Sequence, residues 1–312
     1  MKPHSTIDAM WLKESDLVYE ADPGLAAVAD WFRAQDDFEA RFGQAVRRSL
    51  NEVLDGARTG RYDTNDLEKT EKTYVGTKVE IVVRATFELT KSRPMDYLIA
   101  GRQVDAKFSF FEWGWSVPVE AMDHLCLVLY ANDHASLFRV GLIRINSEVL
   151  TNSGNRDGKR GISARGRRKI HWLVADGALP ENLLLQLTPE ERSPILAPDS
   201  GQKRVNELFR RVQGVLINRD SVEPVAQQTD IAKRVRDSRL QLAHEGIVVL
   251  GHQAAHPGIA RALGIPVPKK GEWISVRLVP DLGDGRPSAV IKEQPLVLAH
   301  PDEPAQPLRP GY

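Results

Sequence analysis

The sequence predicts a mixed α/β (α+β) core, followed by a C-terminal unit of the winged helix-turn-helix type. Three observations carry this prediction. Apolar residues recur at helical spacing between residues 25 and 53. Two apolar runs, 125–130 and 138–145, have the length of buried strands. After residue 200 come three amphipathic helical patterns and then two strand patterns, which is the order of a winged helix.

The composition is that of a folded protein with two domains of ordinary size. The chain has 312 residues, of which 42% are hydrophobic and 27% are charged, so it is globular rather than disordered. Its longest apolar run, residues 125–131, is far too short to span a membrane, and residues 1–5 lack the apolar core of a secretory signal. The single cysteine, Cys126, excludes a disulfide framework and a cysteine-built zinc site, and it predicts a reducing cytoplasm.

The first half begins with helices. Asp22 and Pro23 are helix start signals, and the pattern over 25–53 stops at an Asp-Gly pair, 55–56. Residues 71–87 fit a further helix, although the β-branched residues within them leave a strand open.

A hairpin is predicted between residues 97 and 109. The apolar run 97–99 leads into a turn, after which Val104, Ala106 and Phe108 alternate with polar residues, as in a strand that is buried on one face. A short helix at 118–124 would then lead into the first buried strand.

The second half contains the helical patterns of the predicted winged helix. Helices are expected over 205–216, at 225–228 and from Thr229 or Asp230 onward, followed by strands at 246–250 and 273–279. In such a fold the last helix presents its outer face to the major groove of DNA. Ordinary amphipathic helices with solvated arginines also fit this pattern. Four basic residues lie on the predicted outer face: Lys233, Arg234, Arg236 and Arg239.

These patterns divide the chain into two predicted domains. The first covers residues 1–173, and a linker is expected at 174–182 because Asp176, Gly177 and Pro180 interrupt the apolar pattern. The second domain covers residues 183–312. Its tail, from about residue 299, contains four prolines and is expected to be disordered.

The net charge of zero conceals an uneven distribution. Residues 1–150 contain 18 basic and 24 acidic side chains, a net charge of −6. Residues 151–169 contain seven basic side chains against one acidic, a net of +6, and residues 170–312 contain 17 of each. The segment 156–169, called here the basic cluster, also contains three glycines, so an exposed, mobile arm that contacts phosphates and a plain solvated linker are both open.

The candidate active site lies on the predicted hairpin. Asp105 and Lys107 point to the same face of a strand, because side chains at i and i+2 do so. Asp96 stands just before the hairpin, and Glu80 lies one segment upstream. Two close carboxylates repel each other unless a cation lies between them, and oxygen ligands favour Mg²⁺ or Mn²⁺. An ordinary solvated Asp/Lys pair remains the alternative.

These residues resemble a known signature. P-x-D followed by D-x-K on a hairpin is similar to the PD-(D/E)xK nuclease motif, and longer strings in the same order resemble the NaeI family of restriction endonucleases. The strings occur over most of residues 50–280, and the clearest are 59–61, 68–73, 79–81, 96–109, 181–185, 204–212, 225–228, 233–236, 251–253 and 266–268.

The resemblance implies a fold and an activity. It implies a type II restriction enzyme with a restriction-endonuclease-like core and a C-terminal winged-helix-like domain that binds a second DNA site and activates cleavage. It further implies a homodimer in the bacterial cytoplasm, acting on double-stranded DNA at a GC-rich palindrome, with GCCGGC the obvious candidate. Mg²⁺ would be the cofactor, with Mn²⁺ able to substitute.

The resemblance also implies roles for particular residues. Glu80, Asp96, Asp105 and Lys107 match the four active-site positions, and all four have the expected chemistry. Asp96, Asp105, Glu80 and the carbonyl of Ala106 would bind the metal. The basic residues expected to contact DNA are Arg156, Lys159, Arg160, Arg167 and Arg168 of the basic cluster and Lys233, Arg234, Arg236 and Arg239 of the second domain.

Other chemistries fit less well. Residues 154–159 resemble a phosphate-binding loop but are one residue short, and Arg160 stands where a serine or threonine would hold Mg²⁺, so no ATP is expected. Two alternatives to the restriction enzyme remain open at this point. One is a sequence-specific DNA-binding regulator with an inert nuclease-like domain, and the other is a repair or nicking nuclease.

Overall fold

A computed structural model describes Ile7 and residues 9–309. The helices in chain order are α1 (Ala9–Ala21), α2 (Pro23–Arg33), α3 (Phe38–Leu54), α4 (Gly56–Thr59), α5 (Lys69–Thr86), α6 (Ala164–Arg167), α7 (Leu183–Gln186), α8 (Pro189–Leu196), α9 (Gly201–Arg211), α10 (Arg219–Ala226), α11 (Ile231–Leu242) and α12 (His256–Ala262). The strands are β1 (Thr90–Lys91), β2 (Tyr97–Ile99), β3 (Arg102–Ser109), β4 (Ser116–Val117), β5 (Leu125–Asn132), β6 (Leu137–Arg144), β7 (Leu150–Gly154), β8 (Arg160–Ile162), β9 (His171–Ala178), β10 (Leu216–Asn218), β11 (Ile247–Leu250), β12 (Glu272–Pro280), β13 (Ser288–Ile291) and β14 (Gln294–Leu298).

The chain forms two compact units. The first unit comprises the residues up to Val53 together with Asp63–Glu181, and the second comprises Leu54–Tyr62 together with the residues from Asn182 onward. The segment Leu54–Tyr62, which the sequence placed in the first domain, therefore packs with the second. There α4 contacts α10, and the side-chain amide of Asn182 donates to the carbonyl of Tyr62 at 2.7 Å.

The first unit is built on a sheet with the strand order β1-β2-β3-β5-β6-β9. Strands β3 and β5 run parallel, and the other neighbouring pairs are antiparallel. Helix α5 packs against β3, and a smaller sheet has the order β4-β8-β7. Strand β5 is buried along nearly its whole length, which explains its unbroken apolar sequence.

The helices of this unit follow their sequence signals. The carboxylate of Asp22 caps α2 by accepting from the N–H of Leu25 at 2.9 Å, and Pro23 occupies the first turn. The long pattern over 25–53 is divided into α2 and α3 at residues 34–37, where Asp37 has a φ of 50°. Residues 71–86 are helical, within α5, and Val75 and Val79 both lie on its buried face.

The second unit begins with helices and ends with strands. Helix α9 leads to β10, and then α10, α11, β11 and β12 follow in that order. Strand β12 lies between β10 and β11, and its far end pairs with β14, which pairs with β13. The predicted helix over 205–216 is shorter than expected, because α9 ends at Arg211 and Leu216 belongs to β10.

Two predicted irregular segments are ordered parts of the structure. The predicted linker, 174–182, is largely strand β9, which pairs with β6 and places Val174 in the sheet. The predicted disordered tail packs onto the second unit as far as residue 309. Leu308 is buried and its N–H donates to the carbonyl of Ala243 at 2.8 Å. In both segments, pairing with distant residues outweighs the local proline and glycine signals.

Among the described residues, no helix is both long and apolar enough to span a membrane.

Candidate active site

The predicted hairpin is present, and its register brings the candidate residues together. Strand β2 pairs antiparallel with β3, with Tyr97 opposite Val104. The turn uses Gly101 with a φ of 73°, a conformation that glycine adopts without strain. One residue further back in the same register, Asp96 lies opposite Asp105.

Asp105 and Lys107 form an ion pair on one side of β3. Nζ of Lys107 is 2.7 Å from Oδ2 of Asp105 and donates to the carbonyl of Ala106 at 2.9 Å. Across the hairpin, Oδ2 of Asp96 accepts from the N–H of Ala106 at 2.8 Å. Asp105 is only 5% exposed. Two carboxylates, a main-chain carbonyl and an ammonium group thus meet at one point of the sheet.

Glu80 reaches the same region from α5. It lies on the half-buried side of the helix, where Nη1 of Arg84 is 3.7 Å from its Oε1. The hydroxyl of Tyr97 donates to the main-chain carbonyl of Glu80 at 2.9 Å and so ties α5 to β2. Burial raises the pKa of Glu80, and the nearby charge of Asp96 raises it further.

The surroundings of Asp105 disfavour its charged form. Burial raises the pKa of Asp105 to about 6, and the proximity of Asp96 adds to this effect, while Lys107 opposes it. Burial disfavours the charged form of Lys107, but the charge of Asp105 outweighs this effect and raises the pKa of Lys107. Lys107 is therefore an ammonium ion at neutral pH.

The donors present fit a hard divalent cation. Asp96, Asp105 and the carbonyl of Ala106 supply only oxygen, which Mg²⁺ and Mn²⁺ prefer. Burial disfavours the charged form of Asp105, and a cation bound at these oxygens would favour it. Within the described part of the chain, no three histidine, cysteine, aspartate or glutamate side chains are grouped closely enough to hold a metal. The grouped donors are thus two carboxylates and a main-chain oxygen, and metal binding by Glu80 remains a prediction.

Comparison with known proteins decides the family. The family described as restriction endonuclease NaeI matches residues 26–307. The chain is 42% identical over 296 residues to the type II restriction enzyme NaeI of Lentzea aerocolonigenes, which covers 91% of this chain and 93% of that protein.

The chain belongs to the NaeI restriction endonuclease family.

In this NaeI-family protein the basic cluster is folded, not a mobile arm. It contains β8 and α6, and its first residues form the turn between β7 and β8. Arg156 and Lys159 lie exposed on that turn. Three other predicted DNA-contacting residues are engaged within the protein: Arg160 donates to the carbonyl of Thr151, Arg167 lies over the ring of Trp113 at 5.3 Å, and Arg168 is 3.7 Å from Glu14.

The outer face of α11 carries fewer of the predicted basic residues than expected. Lys233 and Arg236 are exposed. Arg234 is only partly exposed, because its guanidinium turns toward Gln202 of α9, 3.4 Å away. Nε of Arg239 donates to the carbonyl of Val249 in β11 at 2.8 Å. The prediction that all four point outward is therefore wrong for Arg234. It holds only in part for Arg239, which is partly exposed but bonded to β11.

One neighbour of the site was not predicted from the sequence. Cys126 on β5 lies opposite Asp105 in the parallel register, and its Sγ is 4.0 Å from Oδ2 of Asp105. The sequence predicted only that this cysteine is buried in a strand. Its contact with the site depends on β3 and β5 being neighbours, which no local pattern reveals. The signal available was the presence of a lone cysteine in the strand that follows the D-x-K motif.

A buried arginine that contacts the loop after β3 was also not predicted. Arg139 on β6 is 1% exposed, and its Nη1 lies 2.5 Å from Glu112 in the loop after β3. Its Nη2 is 2.7 Å from Asp176 on β9. The side chain thereby fixes the loop that follows β3. A charged residue in an otherwise apolar strand run was the signal in the sequence.

Proposed function

We propose that this protein is a type II site-specific deoxyribonuclease that cleaves both strands of a DNA duplex and requires Mg²⁺. The observation that carries the proposal is the convergence of Asp96, Asp105 and Lys107 on one hairpin of a NaeI-family chain. The name of its relative from Lentzea aerocolonigenes, a type II restriction enzyme, supports the same activity.

Each site residue has a role in this proposal. Asp96, Asp105 and the carbonyl of Ala106 hold the cation, and Glu80 contributes a further carboxylate. Bound Mg²⁺ supplies Lewis acidity and lowers the pKa of water. Lys107, being charged at neutral pH, orients the attacking water and stabilises negative charge on the phosphate. In-line attack at phosphorus leaves a 5′-phosphate and a 3′-hydroxyl.

We assign the nuclease to the first unit and binding of a second DNA site to the second unit. In support, the second unit has the order α9-β10-α10-α11-β11-β12 with β12 between β10 and β11, as in winged-helix proteins. Helix α10 is followed by a four-residue turn and then α11, whose exposed face carries Lys233 and Arg236. Helix α11 would enter the major groove.

The proposal includes a homodimer that acts on a GC-rich palindrome. One active site cuts one strand, so two protomers related by two-fold symmetry match the symmetry of a palindrome. GCCGGC is the first sequence to test, and binding of a second copy of it by the α11 face would activate cleavage. Sedimentation of the protein with and without a duplex tests the dimer directly.

The deciding experiment is digestion of a sequenced plasmid with Mg²⁺ by wild type and by Asp105→Ala. We expect linear DNA from the wild type, and a loss of at least about 1,000-fold in cleavage rate for the variant. Asp302→Ala, which removes an exposed carboxylate far along the chain from the site residues, should cut like the wild type. Run-off sequencing of the ends gives the recognition sequence and the cut position.

Three outcomes contradict the proposal in different ways. Equal cutting by wild type and Asp105→Ala moves the activity away from this hairpin. Tight, specific binding of a duplex without cleavage in Mg²⁺ or Mn²⁺ identifies a regulator. Products with a single broken strand identify a nicking nuclease.

A further inference from the structure

The β7–β8 hairpin, residues 150–162, projects polar residues from an apolar base. Leu150 and Ile162 pair with each other at its base, and both are buried in the same core cluster as Trp115. Residues 152–159 are all exposed. A short two-stranded ribbon thus stands out from the first unit on a fixed foundation.

The turn at the tip is held in one shape by Asn155. Its side-chain Oδ1 accepts from the N–H groups of Asp157 and Lys159, each at 3.0 Å. Its own N–H donates to the carbonyl of Lys159 at 2.8 Å, and Gly158 has the positive φ of 74° that closes the turn. The tip is thus preorganised, so binding a ligand there costs the protein little conformational entropy.

Two exposed cations of the basic cluster lie at that tip. Within the described residues, Arg156 and Lys159 have no ion-pair partner. Further along the basic cluster, Arg165 lies 3.1 Å from Glu148 and so has its charge balanced. The cations of the hairpin tip are consequently free to meet an anion or a polar base edge.

The hairpin tip also lies close to the segment that precedes β5. A side chain on Gly158 would come within 3.9 Å of Val119, which begins the short helix Val119–Ala121. That helix is followed closely by the start of β5, where Cys126 lies opposite Asp105. The tip thus lies against the segment that leads into the end of β5 where Cys126 pairs with Asp105.

We propose that the β7–β8 hairpin enters the major groove of the bound duplex and that Arg156 recognises a guanine there. This inference rests on the proposed nuclease function. The major groove admits a two-stranded ribbon, and a guanidinium group donates two hydrogen bonds to O6 and N7 of guanine. A phosphate contact needs only charge, whereas hydrogen bonds to a base edge need a defined direction. The rigid turn supplies that direction for Arg156. Lys159, beside it, contacts the backbone or the same base pair.

The test compares Arg156→Ala, Arg156→Lys and the matched control Arg165→Ala. Cleavage rates are measured in Mg²⁺ on the cognate site mapped by run-off sequencing and on duplexes with one base pair of that site changed. For Arg156→Ala we expect a roughly 10- to 100-fold slower rate at the cognate site. We also expect the preference for G·C to disappear at one position in each half-site and to persist elsewhere. Arg156→Lys should keep part of that preference, and Arg165→Ala should behave like the wild type.

Loss of preference at a single base pair separates base recognition from charge alone. If Arg156 contacts only phosphate, Arg156→Ala slows cleavage of every duplex by the same factor. It also reduces the slope of the logarithm of the binding constant against the logarithm of the salt concentration by about one. That result, or an unchanged rate and preference, overturns the proposal. Wild-type protein that cleaves no duplex overturns the nuclease function itself, a failure that is visible before any variant is compared.

Discussion

At the residue scale, Lys107 lies where a bound cation would lie. Its ammonium group is within hydrogen-bond distance of the Asp105 carboxylate and the Ala106 carbonyl, two of the oxygens that we assign to Mg²⁺. Positive charge from the lysine thus partly neutralises the buried carboxylate of Asp105. A divalent cation at the same oxygens would compete with Lys107 for Asp105, and the ammonium charge of Lys107 would repel it.

Removing the charge of Lys107 should therefore strengthen metal binding while abolishing cleavage. For Lys107→Met we expect Mg²⁺ and Mn²⁺ affinity to rise by about tenfold, because a like charge a few ångströms from the cation is lost. Calorimetric titration of the DNA-free protein measures this effect without reference to activity. Lys159→Met, which removes an exposed lysine, serves as the control. Unchanged or weaker metal binding by Lys107→Met would show that the lysine does not compete with the cation.

At the scale of the elements, His171 joins α1 and α2 to strand β9. Its Nδ1 is 3.0 Å from the main-chain carbonyl of Ser15 in α1, and its Nε2 is 2.9 Å from Nη2 of Arg33 at the end of α2. Since the arginine can only donate, Nε2 accepts, and the ring is neutral with its proton on Nδ1. Burial lowers the pKa of His171.

This arrangement predicts that acid weakens the first unit. Because the pKa of His171 is lower in the folded protein than in the unfolded chain, the unfolded state binds more protons below pH 6.5. The free energy of unfolding should therefore fall as the pH drops from 7 to 5. Urea unfolding at several pH values measures this fall, and His171→Gln should make it shallower. If the free energy of unfolding changes equally with pH in wild type and His171→Gln, His171 does not cause the loss of stability in acid.

At the scale of the whole molecule, local patterns predicted the hairpin and its site but misplaced the segments around them. Alternation around Val104 and Ala106 was sufficient to predict β3, although it did not show that Asp105 on the polar face is buried as well. Residues 174–182 were predicted to be a linker because glycine and proline are local signals, whereas pairing with β6 is not local. Arg234 was expected to face solvent, since helical spacing alone does not show where α9 packs.

The C-terminal tail should contribute to the stability of the second unit. Arg277 on β12 donates to the carbonyls of His300 and Glu303, and Leu308 is 6% exposed. Ending the chain at residue 298 removes these partners, and Leu308→Ala alone should lower the free energy of unfolding by about 2–4 kcal/mol. Thermal unfolding of both variants, with the exposed Pro304→Ala as the control, measures the effect. Unchanged stability after truncation would mean that the tail only rests on the surface.

Coupling between two DNA sites requires that α11 bind one of them through its exposed face. Arg236 lies on that face, whereas Lys203 is an equally exposed cation on α9, 3.4 Å from Asp199. With a plasmid that carries one site, an added short cognate duplex should stimulate cleavage. We expect Arg236→Ala to raise the duplex concentration needed for half-maximal stimulation by about 3- to 10-fold, since one cationic contact with DNA is lost. Lys203→Ala should leave that concentration unchanged. Equal shifts in both variants would reduce the effect to overall charge, and no shift in Arg236→Ala would place the activating site away from α11.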